Sequence, residues 1–255
     1  MKKSGNHEIA IFEETKNKFI MLKQINQEDI LFLDIETVPQ FPDFGSAPVA
    51  LQTLWEKKFS TLSNTACETA AEAWPRSGIY AEFGKVVCIS TACYRAGALR
   101  LTSFAGRDEI ELLTRFAEML EVHFHSSRHL LCAHNGKEFD FPYLSRRMLV
   151  NGIPLPAILD SAGLKPWQVR HIDTMELWKF GDHKSYTSLE LLTYIFGIPS
   201  PKEDICGADV WKVFWKEDDP DRIRRYCEQD TLALVNIFRR YQGKQLLGSH
   251  ELILV

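Results

Sequence analysis

Two acidic residues, Asp34 and Glu36, follow the apolar run Ile30–Leu33, which is short, bounded by charge and typical of a buried strand. Because side chains alternate along a strand, both carboxylates are expected to face the same side. A charged pair at the end of a core strand is costly to desolvate unless a cation or hydrogen-bond donors accompany it. The pair therefore indicates a cation site, and the alternative interpretation is a polar strand end that faces solvent.

A third acid, Asp140, ends a stretch in which a buried strand over Leu130–Ala133 runs into a turn and then into a helix. An Asp immediately before Phe141 and Pro142 is also a good helix N-cap. The residues alone leave both functions open, the binding of a cation and the capping of the helix.

A fourth acid, Asp230, interrupts the apolar stripe of the last helix. That stripe consists of Ile223, Cys227, Leu234 and Phe238. Tyr226 lies one turn before Asp230 on the same side, so its hydroxyl and the carboxylate can reach one small target. The alternative interpretation places Asp230 at the edge of the stripe and Tyr226 in the core.

If these elements meet, four carboxylates share one pocket. Two unit charges about 4 Å apart repel by about 4 kcal/mol at an effective dielectric of about 20, and divalent cations remove that repulsion. Carboxylate oxygens without Cys or His ligands favour hard ions, and two such ions can hold a phosphodiester and activate a water. The predicted cofactors are therefore two divalent metal ions, Mg²⁺ or Mn²⁺.

These residues resemble the three exonuclease motifs of the DnaQ-like 3′–5′ exonucleases in the DEDDy subgroup. The segment Phe32–Thr37 resembles motif I, Asn135–Asp140 resembles motif II, and Tyr226–Asp230 resembles the Tyr-x-x-x-Asp form of motif III. The sequence is most similar in character to stand-alone predicted exonucleases related to the proofreading domain of family B DNA polymerases. The resemblance implies a metal-dependent hydrolase that acts on terminal phosphodiesters of single-stranded nucleic acid, DNA favoured over RNA, and releases nucleoside 5′-monophosphates.

The resemblance also implies a function for each residue. Asp34, Glu36 and Asp230 would hold the first ion, Asp34 would bridge to the second, and Asp140 would support the second ion. Tyr226 would orient the attacking water. Contacts to the terminal nucleotide or its phosphates are expected from Thr37, Asn135, Phe141 and Lys184, with core packing as the competing function of Phe141. Further basic residues that could contact phosphates, or form a solvated face, are Arg146, Arg147 and Lys179.

The implied fold is α/β and ribonuclease H-like, with a mixed central β-sheet flanked by helices and a helical insertion after the first motif. Residues 1–28 are expected to form an N-terminal extension, 29–241 the exonuclease domain with the insertion at about 43–83, and 242–255 a C-terminal tail. The insertion should contain a helix over 51–62. The segment Thr187–Glu190 has the form of a capping box, and Asp173 is expected to cap a short helix.

The protein does not bind nucleic acid through a uniformly basic surface, because 30 Lys and Arg against 34 Asp and Glu give a net charge of −4. The sequence shows no apolar signal segment and no run long enough to cross a membrane, and its six cysteines form no Cys-x-x-Cys pair. We therefore expect a cytoplasmic protein. Its predicted partners are the 3′ end of single-stranded DNA or RNA and a polymerase or repair protein.

Two other functions remain as alternatives. A haloacid dehalogenase-like phosphatase would use Asp34 as a covalent nucleophile, but that function does not account for Tyr226 and Asp230. A catalytically silent nucleic-acid-binding module would keep the fold and lose turnover. The presence of all four acids and of the tyrosine argues against silence.

Overall fold

The structure is a computed structural model that describes residues 25–62, 69–182, 186–199 and 205–255, so the predicted phosphate contact Lys184 lies outside the described residues. Its strands are β1 (Ile30–Pro39), β2 (Gly84–Arg95), β3 (Ala98–Ala105), β4 (Leu130–Ala133), β5 (Ile172–Asp173) and β6 (Leu252–Leu254). Its α-helices are α1 (Val49–Phe59), α2 (Glu109–His123), α3 (Asp140–Val150), α4 (Thr174–Trp178), α5 (Leu189–Phe196), α6 (Val210–Lys212) and α7 (Pro220–Tyr241). A π-helical turn, Val213–Glu217, continues α6.

The strands form one mixed sheet in the order β5-β4-β1-β2-β3-β6. Strands β1, β2 and β3 are antiparallel neighbours, whereas β4 pairs in parallel with β1 and β5 in parallel with β4. Helices pack on both faces. The predicted α/β class, with a mixed central sheet flanked by helices, is therefore confirmed.

Strand β1 is central, and its side chains alternate between the two faces of the sheet. Leu31 and Leu33 join the core that α2 and α3 cover. Phe32 points to the opposite face, where its ring meets Phe238 of α7 edge to face with the centroids 5.5 Å apart. The even-numbered positions of β1 therefore face α7, which sets the direction of Asp34 and Glu36.

A buried ion pair joins α2 to α3. The guanidinium of Arg147 donates to both carboxylate oxygens of Glu109, at 2.9 and 2.6 Å, and both side chains are less than a tenth exposed. Glu109 also accepts the main-chain N–H of Val86 in β2. Arg147 is thus not a phosphate contact, because its charge is enclosed by the fold.

The insertion after β1 has a small core of its own around Trp55. The rings of Trp74 and Phe83 lie edge to face with Trp55, with centroids 5.9 and 5.3 Å from it. The Tyr143 hydroxyl of α3 donates to the carbonyl of Gly78 at 2.7 Å and thereby joins the insertion to the main domain. The described part of the insertion is helical as predicted, although α1 ends at Phe59 instead of residue 62.

The residues assigned to a C-terminal tail are part of the sheet. Strand β6 pairs in parallel with β3 at the sheet edge. An ion pair between Arg239 and Glu251, at 3.0 Å, links α7 to the residue that directly precedes this strand. The structure differs here from the sequence expectation because a three-residue strand is too short to carry a period, and its place depends on β3.

The helix starts agree with the sequence except in one detail. The cap of α5 is Ser188, whose hydroxyl accepts the N–H of Leu191. The capping box predicted over Thr187–Glu190 is therefore wrong, because the third helical position is Leu191 and not Glu190. Helix α7 begins after Asp219 and ends at Tyr241, as predicted. Within the described ranges, no helix has both the length and the apolar character that a membrane crossing needs.

Candidate active site

Asp34 and Glu36 lie in the middle of β1, on the face that α7 covers. One oxygen of each carboxylate and the Sγ of Cys227 in α7 all lie within 4.8 Å of one another. A bulge in the pairing with β2 follows directly, between Glu36 and Thr37. Both carboxylates therefore face the same side of the sheet, as the alternation predicts.

Helix α7 places a polar group inside its buried stripe. The four apolar stripe residues are buried, and Asp230 between them is only 7% exposed. The Tyr226 hydroxyl makes a hydrogen bond with the Asp230 carboxylate one turn further on. The Cys227 thiol donates to the Asp34 carbonyl at 3.3 Å and to an Asp34 carboxylate oxygen at 3.4 Å, so α7 packs closely on this part of β1.

Asp140 is the first residue of α3 and is buried. The cap position belongs to Phe139, which makes no capping side-chain bond. The Asp140 carboxylate accepts the main-chain N–H of Ile35 in β1 in addition to its own N–H. The capping interpretation of Asp140 is therefore wrong, because its carboxylate bonds to β1. Its partner there, Ile35, lies between Asp34 and Glu36 in the sequence.

The four carboxylates act on one another electrostatically. Burial raises the pKa of Asp34 well above its ordinary value, and the charges of Glu36, Asp230 and Asp140 raise it further. Burial also raises the pKa of Asp140 to about 7, with a smaller contribution from Asp173. Acids of all three motifs therefore lie near enough to Asp34 to act on its pKa.

Tyr226 shares this electrostatic environment. Its pKa is raised strongly by burial and then by the charges of Asp230, Glu36 and Asp34. The hydroxyl consequently stays protonated at neutral pH and acts as a hydrogen-bond donor.

A tight turn carries the chain from β4 into α3 and positions Asp140. Asn135 has a left-handed backbone with φ of 63°, which Asn tolerates better than most residues. Asp173 accepts the N–H of Asn135 at 3.0 Å and of Lys137 at 3.1 Å. The predicted cap function of Asp173 is also confirmed, since it accepts the first free N–H groups of α4.

The predicted substrate contacts have different environments. The Thr37 hydroxyl hydrogen-bonds with the Tyr143 hydroxyl. The side-chain oxygen of Asn135 is buried and has no hydrogen-bond partner among the described residues. Phe141 is 4% exposed and packs edge to face on His171 at 5.1 Å, so core packing describes it and a base contact does not.

Two contributions were not anticipated from the sequence. The thiol contact of Cys227 with Asp34 depends on how α7 crosses β1, and the only sequence signal was its place in the stripe beside Tyr226. The ring of His134 bridges the Thr174 hydroxyl and the Thr187 carbonyl, both at 2.9 Å, and so fixes the turn before α3 to two later segments. These partners lie too far along the chain for local patterns to indicate them.

This chain is similar to known proteins. A profile described as a predicted 3′–5′ exonuclease related to the exonuclease domain of PolB matches residues 79–247. The chain belongs to this family. The matched residues include Asp140, Tyr226 and Asp230 and begin after Asp34 and Glu36, which reach the site through the pairing of β1 with β2 and β4. The mixed sheet of this exonuclease-family chain has the ribonuclease H-like architecture that the motifs predict.

The solved structures that are similar to this chain include the family B DNA polymerase from the hyperthermophilic archaeon Pyrobaculum calidifontis. The identity is 18% and the TM-score 0.42, over 81% of this chain and 24% of that chain. The present chain therefore spans about a quarter of the polymerase. Among curated proteins, none matches the chain.

Proposed function

We propose that this member of the exonuclease family uses two divalent cations, Mg²⁺ or Mn²⁺, to hydrolyse the terminal phosphodiester at the 3′ end of a single strand. The products are nucleoside 5′-monophosphates. The observation that carries the proposal is that Asp34 and Glu36 of β1 each bring a carboxylate oxygen within 4.8 Å of the Cys227 Sγ, on the helix that also carries Tyr226 and Asp230. The family's relation to a DNA polymerase exonuclease domain supports DNA over RNA as the substrate.

The donor set fits hard divalent ions. Oxygen donors converge from Asp34, Glu36, Asp140 and Asp230, and the largest influences on Asp34 are burial and other acids. A buried group of like charges is expensive unless cations compensate it. When bound, such ions hold the phosphodiester, lower the pKa of a water and stabilise the leaving oxygen.

The side chains of this chain divide the remaining tasks. Asp34, Glu36 and Asp230 would hold one ion, and Asp34 and Asp140 would hold the second. The Tyr226 hydroxyl is protonated and makes a hydrogen bond with Asp230, so its oxygen would orient the attacking water by accepting a hydrogen bond and would not remove its proton. Thr37 and Asn135 would contact the terminal nucleotide.

The test is digestion of a 5′-labelled single strand, offered as DNA and as RNA, with Mn²⁺. We expect a ladder that shortens from the 3′ end, a faster rate on DNA, and a loss of at least about 10²-fold for Asp34→Ala. Glu118→Ala removes an exposed acid of α2 and serves as the matched control with unchanged activity. Fragments that shorten from the 5′ end, or full activity of Asp34→Ala, would refute the proposal.

A second measurement addresses the cations directly. Millimolar Mg²⁺ or Mn²⁺ should raise the melting temperature of the protein and of Glu118→Ala, since a ligand that binds the folded state stabilises it. Asp34→Ala should lose most of this gain. A melting temperature that does not respond to either metal would argue against shared ions.

The alternatives from the sequence give different outcomes. A silent nucleic-acid-binding module would retain strand binding and the metal response without producing a ladder. The phosphatase alternative is not supported by the family that the chain belongs to. A polymerase or repair partner and a cytoplasmic location remain predictions from the sequence.

A further inference from the structure

A groove lies beside the turn that precedes α3. Its volume is about 300 Å³, and its lining includes Asn135 and Lys137 of the turn together with Leu164, Pro166 and Val169. Asp173, which accepts the N–H groups of Asn135 and Lys137, also lines it. The groove therefore adjoins the turn that leads to Asp140, and its function is not explained by the carboxylate cluster.

Two exposed aromatic rings flank the groove, and each has a lysine ammonium over its face. The Nζ of Lys165 lies 5.3 Å from the centroid of Trp167, in the turn that also contributes Pro166 to the groove. The Nζ of Lys179, which lines the groove, lies 4.3 Å from the centroid of Tyr186. Trp167 is 66% exposed and Tyr186 is 67% exposed. Large rings held this far into solvent are not part of the core.

The acids of the groove are mostly engaged within the protein. Asp173 accepts main-chain N–H groups from the turn and from α4. Glu176 forms an ion pair with Lys137 at 2.6 Å. Glu138 is exposed to solvent. In contrast, Lys165 and Lys179 form no ion pair within the described parts of the chain, so their ammonium groups remain available to an anion.

We propose that this groove holds the single strand upstream of its 3′ end, with unpaired bases on Trp167 and Tyr186 and phosphates at Lys165 and Lys179. A flat ring beside an ammonium suits a nucleotide, which presents a base face and a phosphate at a similar spacing. A duplex does not fit this arrangement, because the faces of its bases are covered by the neighbouring base pairs of the stack. The inference rests on the proposed function, to which it adds the path of the strand.

The binding test uses a 5′-fluorescein oligo(dT) strand of about twelve nucleotides and a trinucleotide, measured by anisotropy in EDTA so that no cleavage occurs. Trp167→Ala and Tyr186→Ala should each weaken binding of the long strand about 5- to 100-fold, the range expected for one stacked base. The trinucleotide should be affected much less. Lys165→Gln and Lys179→Gln should weaken long-strand binding and reduce its dependence on salt.

Matched controls separate this groove from a general surface effect. Tyr194→Ala removes an exposed ring of α5 that does not line the groove, and Lys58→Gln removes an ammonium 4.8 Å from the Tyr80 ring in the insertion. Both should bind the long strand as the wild type does. Equal losses in the controls and the groove variants, or competition by poly-glutamate as strong as by oligo(dT), would overturn the proposal.

Failure of the groove and failure of the proposed function can be told apart. If the groove inference fails, the wild type still shortens strands from the 3′ end and the groove variants match it at every strand length. If the exonuclease proposal fails, no ladder forms, yet the groove variants still bind the long strand more weakly. The substituted residues are exposed or half-buried, and unchanged melting temperatures would verify that each variant folds.

Discussion

Carboxylates are buried in two regions of the molecule, and the two regions neutralise them differently. Between α2 and α3, Glu109 receives two hydrogen bonds from Arg147 and one from Val86. In the middle of β1, the strongest influences on Asp34 are burial and three neighbouring acids. The first region balances its charge within the fold, whereas the second gathers like charges, which the proposed cations would balance.

The buried ion pair stabilises the fold, whereas the buried group of like charges is typical of a functional site. A paired buried charge fixes the packing of helices and loses much stability when one partner is removed. A group of buried like charges that repel one another costs stability, which a bound cation would offset, and functional sites commonly show pKa values perturbed in this way. The effects of substitutions should decrease from the buried Arg147–Glu109 pair to the exposed surface.

The largest effect is expected from breaking the enclosed pair. Arg147→Met leaves Glu109 buried without its cation and should lower the free energy of unfolding by about 3–5 kcal/mol. The double variant Glu109→Gln, Arg147→Met should recover most of that loss, since the amide is neutral and still accepts from Val86. Urea unfolding at neutral pH measures both, and a double variant as unstable as the single one would contradict the explanation.

Removal of the Tyr226 hydroxyl should have a smaller effect, confined to catalysis. Tyr226→Phe is expected to lower kcat about 10- to 100-fold, the range for a group that supports a metal ligand. The gain in melting temperature with Mn²⁺ should persist, because the four carboxylates remain. Single-turnover digestion and thermal melting test the two parts, and an abolished metal response would assign Tyr226 a different function.

Asp140 should make metal-free stability depend on pH. Its pKa in the folded protein is about 7, above the usual value of about 3.9 for an unfolded Asp. Between these values the folded state binds more protons, so stability rises as the pH falls from about 7 towards 4. The difference between wild type and Asp140→Asn should change by up to about 1.4 kcal/mol per pH unit there and level off above pH 7.

Urea unfolding in chelator across this range provides the measurement. Asp140→Asn removes the titrating group without removing the side-chain volume, and Glu118→Gln controls for an exposed acid. Parallel pH dependences of wild type and Asp140→Asn would mean that Asp140 does not titrate as its surroundings indicate.

The smallest effect is expected at the surface. Arg128 pairs with Asp29 at 3.0 Å, but its side chain is 72% exposed. Arg128→Gln should change the free energy of unfolding by no more than about 0.5 kcal/mol, because solvent screens such a pair. A loss comparable to that of Arg147→Met would show that burial does not set the ranking.

Local patterns predicted much of the fold and of the site because they follow from backbone geometry. The alternation of β1 placed Asp34 and Glu36 on one face, and the helical period placed Asp230 within the buried stripe of α7. The same reasoning identified the cap at Asp173. In each case the partner lies within a few residues, or the side chain's direction depends on position in the element alone.

Features that depend on distant partners could not be predicted. Asp140 had the local signal of a cap, yet the N–H of Ile35 takes its carboxylate to β1. Phe141 was expected near the substrate, but its ring packs on His171 in the core. Arg147 showed only a basic pair in the sequence, and its partner Glu109 lies 38 residues away.

The sequence by itself determined which residues carry acidic and aromatic groups, and which side of each strand or helix they occupy, since these properties follow from residue type and period. The tertiary structure decided which of those sides meet. Only the packing of α7 and α3 on β1 brings the acids of the three motifs near one another, because electrostatic repulsion depends on distances in space that the order of residues does not specify.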